Sequence, residues 1–174
     1  MRGGRGPLTW IVRQALSIDP SSAFVVRALG PSDAGLLTHA AAGVFDNAVK
    51  ASLAAEFLDD PRHHLVVAID SGQVVGFVSA VHYVHPDKAA ELWLNEVSVA
   101  STHQNRGVGR QMLQNMLGLG RELGCWSAWV LTDRANTPAM RLYAAAGGVE
   151  SPTPSIMFEF ALEFAKSANT DDAA

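Results

Sequence analysis

A short turn containing two glycines, residues 104–110 (QNRGVGR), joins a strand-like stretch to a helix-like stretch and constrains the fold more than any other feature. Residues 91–99 predict a strand, and apolar side chains recur at helical spacing over residues 108–123. At such a junction the first backbone N–H groups of the helix lack intrahelical acceptors and lie at the positive end of its dipole. Gly107 and Gly109 allow a ligand to approach the backbone closely. The turn therefore predicts an anion-binding site.

Two familiar phosphate-binding motifs do not fit this turn. A Walker A loop needs Gly-Lys-Ser/Thr, which is absent here, and a dinucleotide fingerprint fails because Met112 occupies its third glycine position. Arg106 and Arg110 nevertheless add positive charge at the turn. We therefore expect a phosphorylated cofactor of another kind.

Composition limits the class of protein. The chain has 174 residues, enough for one domain with a single core. Its 13 Lys and Arg against 17 Asp and Glu give a net charge of −4, which argues against binding to duplex nucleic acid and weakly suits a cationic partner. The single cysteine, Cys125, excludes an internal disulfide framework and a cysteine-rich zinc site, so we expect a reducing compartment, the cytoplasm.

Membrane and secretion signals are not recognised in the sequence. The apolar patch at residues 8–12 is interrupted by Arg13 before it reaches the length of a signal-peptide core, and no apolar run approaches transmembrane length. We therefore expect no membrane partner.

The pattern of apolar runs and turn residues predicts one α+β domain over residues 24–164. Residues 1–23 are predicted to be a flexible extension, because they are rich in Gly, Arg, Pro and Ser, and residues 165–174 a C-terminal tail. The predicted elements follow in this order: a strand at 24–29, a helix from Ser32 or Asp33 to about 44, a helix at 49–58, a hairpin of strands at 65–69 and 74–83, a strand at 91–99, a helix at 108–123, a strand at 126–132, a helix at 136–146 and a closing strand at 156–164.

The turn and its surroundings resemble a known family. The pattern Gln/Arg-x-x-Gly-x-Gly/Ala, satisfied by Gln104, Gly107 and Gly109, is similar to the acetyl-coenzyme A loop of the GNAT superfamily of N-acetyltransferases. The order of elements over residues 24–164 is also similar to that fold. The resemblance implies a mixed, mostly antiparallel central sheet with flanking helices, splayed near Val97 and Trp129 to admit the cofactor.

The resemblance also implies how acetyl-coenzyme A is held. Backbone groups of Val97 and Val99 would pair with the pantetheine arm, and Asn136 would contact the amide groups of the cofactor. The pyrophosphate would be bound by backbone N–H groups of the turn, namely those of Gln104, Asn105, Arg106, Gly107, Val108, Gly109 and Arg110.

Two side chains are candidates for acid–base chemistry. By resemblance, Tyr143 would protonate the departing thiolate; the alternative is an aromatic core residue. On a regular strand, Leu92, Leu94, Glu96 and Ser98 share one face, so Glu96 interrupts an apolar row. A carboxylate there could attract an ammonium group and take its proton, directly or through water. The alternative for Glu96 is a solvated strand-end residue or a structural salt bridge.

Within the superfamily, residues 91–99 (ELWLNEVSV) with His103 resemble the type I aminoglycoside 3-N-acetyltransferases, which confer gentamicin-type resistance. By position, Glu96 and Asp133 would meet ammonium groups of the antibiotic. A polycationic amino sugar needs several carboxylates, each charge-assisted hydrogen bond contributing about 1.5–3 kcal/mol. Further carboxylates could come from Asp46, Asp59 and Asp60.

Two other hypotheses remain open at this stage. A polyamine or protein N-terminal acetyltransferase uses the same donor, and a coenzyme A sensor keeps the fold without catalysis. A homodimer is an expectation from the family alone.

The six histidines do not predict a metal site. His63 and His64 are adjacent and would point to opposite faces of a strand, and no His-x-x-x-His pair exists. His103 is expected to contact phosphate. We therefore expect no metal cofactor.

Overall fold

The computed structural model describes residues 24–152 and 157–160. This part of the chain contains five strands, three α-helices and two 3-10 helices. The strands are β1 (Val25–Ala28), β2 (His63–Asp70), β3 (Gln73–Tyr83), β4 (Glu91–Val99) and β5 (Ser127–Val130). The α-helices are α1 (Ala51–Asp59), α2 (Val108–Glu122) and α3 (Thr137–Ala145), and the 3-10 helices are Pro31–His39 and Ser101–His103.

The five strands form one sheet in the order β1-β2-β3-β4-β5. The first three pairings are antiparallel, and β4 with β5 is parallel. The predicted α+β class, with a mixed and mostly antiparallel sheet flanked by helices, is therefore confirmed. The predicted extension at residues 1–23 and tail at 165–174 lie outside the described residues.

The hairpin between β2 and β3 forms as predicted. Ser71 and Gly72 both have positive φ, 51° and 79°, which is the backbone geometry that two-residue hairpin loops require. Asp70 and Gln73 form the pair that closes the loop.

The first predicted helix is corrected in both type and length. Residues 31–39 form a 3-10 helix with Gly30 at its N-cap, rather than an α-helix capped by Ser32 or Asp33. It ends at residue 39 instead of about 44 because Ala40 bridges to Val74 of β3, so that the backbone becomes extended.

The end of the chain also differs from the sequence prediction. Strand β5 covers only Ser127–Val130 instead of residues 126–132. Residues 157–160, part of the predicted closing strand at 156–164, belong to no strand, and Phe158 and Phe160 are exposed. The remainder of that predicted strand lies outside the described residues.

A β-bulge at Asn95 changes which side chains of β4 share a face. Ala80 of β3 pairs with Leu94, but Ser79 pairs with Glu96, so Asn95 has no partner position. The alternation therefore shifts by one residue after Leu94. The prediction that Glu96 shares a face with Leu94 is wrong: Glu96 lies on the opposite face.

The sheet opens between β4 and β5, as predicted. The two strands are paired from Glu91 with Ser127 to Leu94 with Val130, and beyond that pair the edge of β4 has no strand beside it in the described part of the chain. The gap therefore lies beside Val97. Trp129 is still paired with Trp93, immediately before the opening.

Helix α2 covers one face of the sheet. Its apolar side chains Met112, Leu113 and Met116 are buried, as the helical spacing predicts. Near its C-terminus the helix approaches β4 so closely that a Cβ on Gly120 would lie 2.9 Å from Leu92 Cδ2. Near its N-terminus the helix also lies against β4, since a Cβ on Gly109 would lie 3.7 Å from Val99 Cγ2.

Candidate active site

A cleft of about 450 Å³ lies between the open edge of β4, the N-terminus of α2 and helix α3. All residues predicted to bind the cofactor line it, except Arg106. The lining residues are Val97, Val99, His103, Gln104, Asn105, Gly107, Val108, Gly109, Arg110, Asn136, Pro138, Ala139, Arg141, Leu142 and Tyr143.

The turn before α2 exposes backbone donors to this cleft. Asn105 and Gly107 have φ of 59° and 79°, and Gly107 is the N-cap residue with no side-chain cap. The first helical hydrogen bond runs from Gln111 N–H to the Gly107 carbonyl. The N–H groups of the intervening residues, Val108, Gly109 and Arg110, therefore have no intrahelical acceptor. This end of the helix has the geometry of an anion site.

Two arginines flank the turn in different ways. Arg110 is exposed and lines the cleft, while Arg106 is exposed beside it. Arg106 lies near enough to Asp70 to contribute to lowering the pKa of that carboxyl, which is held down mainly by hydrogen bonds from His103 and Ser71. Neither arginine forms a salt bridge within residues 24–152 and 157–160, so both charges are available to a ligand.

The backbone of β4 presents its hydrogen-bonding groups at the open edge of the sheet. Ala100 N–H donates to the Val75 carbonyl of β3 at 2.8 Å. Because the backbone groups of successive residues point to alternate sides of a strand, those of Val97 and Val99 point to the open edge. Gln104 Nε2 donates to the Val99 carbonyl at 3.0 Å, so this acceptor is already engaged by the turn.

Asn136 and Asp133 lie at the start of α3. Asn136 is the N-cap residue, and its Oδ1 accepts a hydrogen bond from Ala139 N–H at 3.2 Å. Asn136 also lines the cleft. Asp133 is exposed, and its Oδ1 accepts from Ala135 N–H at 2.6 Å, so this carboxylate stabilises its own loop.

Tyr143 is half-buried on α3 and lines the cleft. Burial raises the pKa of its phenol above the ordinary value, so the group keeps its proton at neutral pH. The helix ends just beyond it in a Schellman motif: Gly148 N–H donates to the Tyr143 carbonyl at 2.9 Å, and Gly147 has φ of 91°. The end of the helix thus fixes the backbone that carries the phenol.

Glu96 is exposed on the face of β4 opposite to α2, and Asp46 lies near it. Partial desolvation and, secondly, the negative charge of Asp46 raise the pKa of Glu96 above its ordinary value. Phe45 stacks on Phe77 with ring centroids 4.3 Å apart, which brings the segment containing Asp46 over this face of the sheet. The structure therefore brings Glu96 and Asp46 together.

Asp59 and Asp60 occupy a different part of the molecule. Both line a second concavity, of about 720 Å³, beside Leu119 and Leu123 at the C-terminal end of α2. The helix is about 22 Å long at 1.5 Å per residue, so this concavity lies far from the turn at residues 104–110. Asp60 forms a 2.7 Å salt bridge with Arg62, whose hydrogen bonds hold the pKa of that carboxyl well below its usual range. The structure does not bring these two acids to the cleft.

Several histidines contact other side chains in the structure, among them His63, His64, His82 and His103. His103 Nε2 lies 3.0 Å from Asp70 Oδ2, so it connects the turn to the β2–β3 hairpin. His63 stacks on Phe57, while His64 Nε2 lies 2.7 Å from His82 Nδ1 on the other face of the sheet. Among the residues that the structure describes, no three His, Cys, Asp or Glu side chains are grouped as a metal site would require. No helix among them is long and apolar enough to cross a membrane.

A second group of side chains, on the Glu96 face, was not predicted from the sequence. Trp93 and Trp129 stack on each other, and Trp129 Nε1 donates to the Tyr83 hydroxyl. Tyr83 in turn donates to Glu91. Alternation along residues 91–94 indicates that Glu91 and Trp93 share a face, but the pairing with β5 is not visible in the sequence.

Comparison with known proteins agrees with this geometry. Residues 37–147 match the model of the acetyltransferase (GNAT) family. Streptothricin acetyltransferase of Streptomyces lavendulae is 30% identical over 88 residues, which are 51% of this chain and 44% of that protein. The chain thus matches less than half the length of this relative.

Two solved structures have the same fold. One is an aminoglycoside acetyltransferase from an uncultured soil metagenomic sample in complex with sisomicin, with a TM-score of 0.70 and 13% identity, over 81% of this chain and 97% of that chain. The other is AAC(6')-Iy in complex with the bisubstrate analogue CoA-S-monomethyl-acetylneamine, with a TM-score of 0.66 and 19% identity, over 81% of this chain and 100% of that chain. Because the family model covers more than half of the sequence, the chain belongs to the acetyltransferase (GNAT) family.

Proposed function

We propose that this protein transfers an acetyl group from acetyl-coenzyme A to an amine of an aminoglycoside antibiotic, at the 3-N position, and so confers resistance in the cytoplasm. The observation that carries the proposal is one continuous cleft that joins a helix N-terminus, an open strand edge and a protonated phenol. Family membership and the two aminoglycoside acetyltransferases of the same fold support the choice of reaction.

The residues of the cleft fit acetyl-coenzyme A. The N–H groups of Val108, Gly109 and Arg110 would hold the pyrophosphate, with the charge of Arg110 beside them. The unpaired edge at Val97 and Val99 would receive the pantetheine amides as an added strand does. Gln104 would have to release the Val99 carbonyl for that acceptor to be used.

Acid and base would lie on opposite sides of β4. When bound, acetyl-coenzyme A supplies the acetyl group as a thioester. Glu96, with its raised pKa, would accept a proton from the acceptor ammonium, directly or through water. The neutral amine nitrogen would then form a C–N bond with the acetyl carbon as the C–S bond breaks. Tyr143, on the other side of the strand, would give its proton to the sulfur and regain one from the acetylated nitrogen, which loses its second proton to become an amide.

The acceptor would be a cation with more than one ammonium group. Glu96 and Asp46 are exposed acids without a salt bridge in the described part of the chain, so they can pair with such a ligand. Asp133 is exposed but committed to its loop, and Asp59 and Asp60 are remote. Any contact from these three acids would require a ligand or loop movement.

The test is release of free thiol from acetyl-coenzyme A by the purified protein, with gentamicin-class aminoglycosides, spermidine and an N-terminal peptide as parallel acceptors. We expect aminoglycoside turnover and a product whose acetylated nitrogen NMR identifies as 3-N. Turnover of spermidine or peptide alone would select the polyamine or N-terminal alternative. Coenzyme A binding without turnover of any amine would favour the sensor. Light scattering of the same sample tests the proposed homodimer.

A further inference from the structure

Two tryptophans form an exposed aromatic pair beside the opening of the sheet. Trp93 on β4 and Trp129 on β5 occupy directly paired positions of the parallel strands. Their ring centroids are 5.6 Å apart and the rings are nearly parallel, at 14°. The side chains nonetheless remain 37% and 36% exposed. Large aromatic rings that stay accessible on a protein surface are typical of ligand contacts.

Hydrogen bonds fix the orientation of Trp129, on which Trp93 stacks. Trp129 Nε1 donates to the Tyr83 hydroxyl at 3.1 Å, so the indole extends back across β4. The Tyr83 hydroxyl donates to Glu91 Oε2, and Lys88 Nζ donates to Glu91 Oε1, both at 2.5 Å. Hydrogen bonds from Lys88 and then Tyr83 lower the pKa of Glu91 to about 2, so this carboxylate stays charged. Both carboxylate oxygens of Glu91 accept hydrogen bonds from these two side chains. Glu91 therefore orients the Trp129 indole through Tyr83 rather than binding a ligand.

Negative charge lies next to the aromatic pair on the same face. The bulge at Asn95 places Trp93 and Glu96 side by side, opposite Val81 and Ser79 of β3. Asp46 is close enough to raise the pKa of Glu96, and neither acid has a salt bridge among the described residues. The surface therefore combines an aromatic face with two unpaired carboxylates.

We propose that Trp93 and Trp129 form the acceptor subsite for a ring of a polycationic amino sugar, whose apolar C–H face packs against the indoles while its ammonium groups meet Glu96 and Asp46. This inference rests on the proposed function and names what recognises the acceptor. Indole faces attract both C–H groups and cations, and a rigid ring fills an aromatic surface at little entropic cost. A flexible linear polyamine also carries cations, but it has no rigid C–H face that covers both indoles, and it loses more conformational entropy when it binds. The pair would therefore select cyclic over linear amines.

The experiment compares Trp93→Leu and Trp93→Phe with Trp126→Leu, which alters an exposed tryptophan outside the stacked pair. We expect Trp93→Leu to raise the KM of the aminoglycoside about tenfold, Trp93→Phe to raise it less, and Trp126→Leu to leave it unchanged. The KM values of spermidine and of acetyl-coenzyme A should stay within about twofold. An equal rise for aminoglycoside and spermidine, or the same effect from Trp126→Leu, would overturn the proposal.

A binding measurement separates failure of this inference from failure of the proposed function. The indole N–H signals of the wild-type protein are followed by NMR during titration with neamine and with spermidine, whether or not either is acetylated. Shifts of Trp93 and Trp129 with neamine, absent with spermidine and absent at Trp126, support the subsite. Signals that do not move with neamine refute it, even if the protein acetylates another amine.

Discussion

Trp93 and Glu96 lie on the same face of β4, although regular alternation would put them on opposite faces. The single unpaired residue between them, Asn95, reverses the alternation. One strand thereby presents Glu96 to one side and Val97 with Val99 to the cleft under α2. An acetyl donor bound on one side and an amine acceptor bound on the other side would then meet only at the open edge of the strand. The direct transfer proposed above would use this separation.

Removing the charge of Asp46 should make Glu96 a stronger acid. Desolvation and the Asp46 charge both raise the pKa of Glu96, and Asp46→Asn removes the second cause. The pKa of Glu96 should therefore fall towards its ordinary value, while remaining above it because desolvation persists. Carbon-13 NMR of the glutamate carboxyl signals measures this directly, with Glu96→Gln used to assign the signal. An unchanged or higher pKa in Asp46→Asn would contradict the pairing of the two acids.

Tyr143→Phe should slow catalysis without weakening cofactor binding. The phenol has no hydrogen-bond partner among the described residues, so we expect the free energy of unfolding to change by less than about 0.5 kcal/mol. Loss of the proton donor should lower kcat about 10- to 100-fold, a modest value for a general acid because a thiolate is a good leaving group. The pKa of Tyr143 is raised by burial, so wild-type activity should show no alkaline loss from this group below about pH 10.

A raised KM for acetyl-coenzyme A or an unchanged kcat in Tyr143→Phe would count against this role. Tyr83→Phe provides the matched control, since it removes a phenol on the other face of the sheet. It should affect the acceptor KM and leave the chemical step unaltered.

The sequence predicted those parts of the fold that depend on neighbouring residues. Ser71-Gly72 makes a hairpin loop, residues 108–122 form an amphipathic helix, and Gly107 starts that helix, each through local backbone and side-chain preferences. Most of the residues predicted to bind the cofactor lie in or next to this local segment, and all of them except Arg106 line one cleft. Their role in holding acetyl-coenzyme A stays a prediction.

The face proposed to bind the acceptor could not be predicted in the same way, because it depends on pairing between distant segments. The bulge at Asn95 has no sequence signature, so the face of Glu96 was assigned wrongly. The bridge from Ala40 to Val74 ends the first helix early and brings the segment of Asp46 towards Glu96. The contact between Asp60 and Arg62 is local, but the concavity that Asp60 faces is formed with the distant C-terminal end of α2 and is not visible in the sequence.

Charge at the N-terminus of α2 should strengthen cofactor binding. Arg110 lines the cleft, whereas Arg121 lies in the last turn of the same helix. Arg110→Ala should weaken coenzyme A binding about three- to tenfold and reduce its dependence on salt concentration, because one exposed charge–phosphate contact is lost. Arg121→Ala should leave both unchanged. Calorimetric titration at two salt concentrations measures these effects, and equal losses from both variants would indicate a general charge effect.

Two glycines of α2 should respond in opposite ways to replacement by alanine. A Cβ on Gly118 has no neighbour within 4 Å, so Gly118→Ala should raise the free energy of unfolding by about 0.5–1 kcal/mol through helix propensity. A Cβ on Gly120 would lie 2.9 Å from Leu92 Cδ2, and Leu92 is fully buried. Gly120→Ala should therefore lower the free energy of unfolding by about 1–2 kcal/mol, even when the same gain in helix propensity is included. Urea unfolding measures both; stabilisation by both would mean that Leu92 moves aside freely.

The buried histidine pair should make the protein less stable in mild acid. Desolvation, followed by the charge of His82, lowers the pKa of His64 from 6.5 to about 4, so folding favours the neutral imidazole. Unfolded chains take up a proton at this residue below pH 6.5, whereas the folded protein does so only near pH 4. Stability should therefore fall by about 2 kcal/mol between about pH 7.5 and 5.

His64→Gln, which keeps a polar partner for His82, should lose most of that pH dependence of stability. Val66→Ala changes a buried residue on the same strand. It should lower the free energy of unfolding but leave its dependence on pH as in the wild type. Urea unfolding of the three proteins at both pH values measures the free energy of unfolding. An equal decrease in wild type and in His64→Gln would show that His64 does not control acid stability.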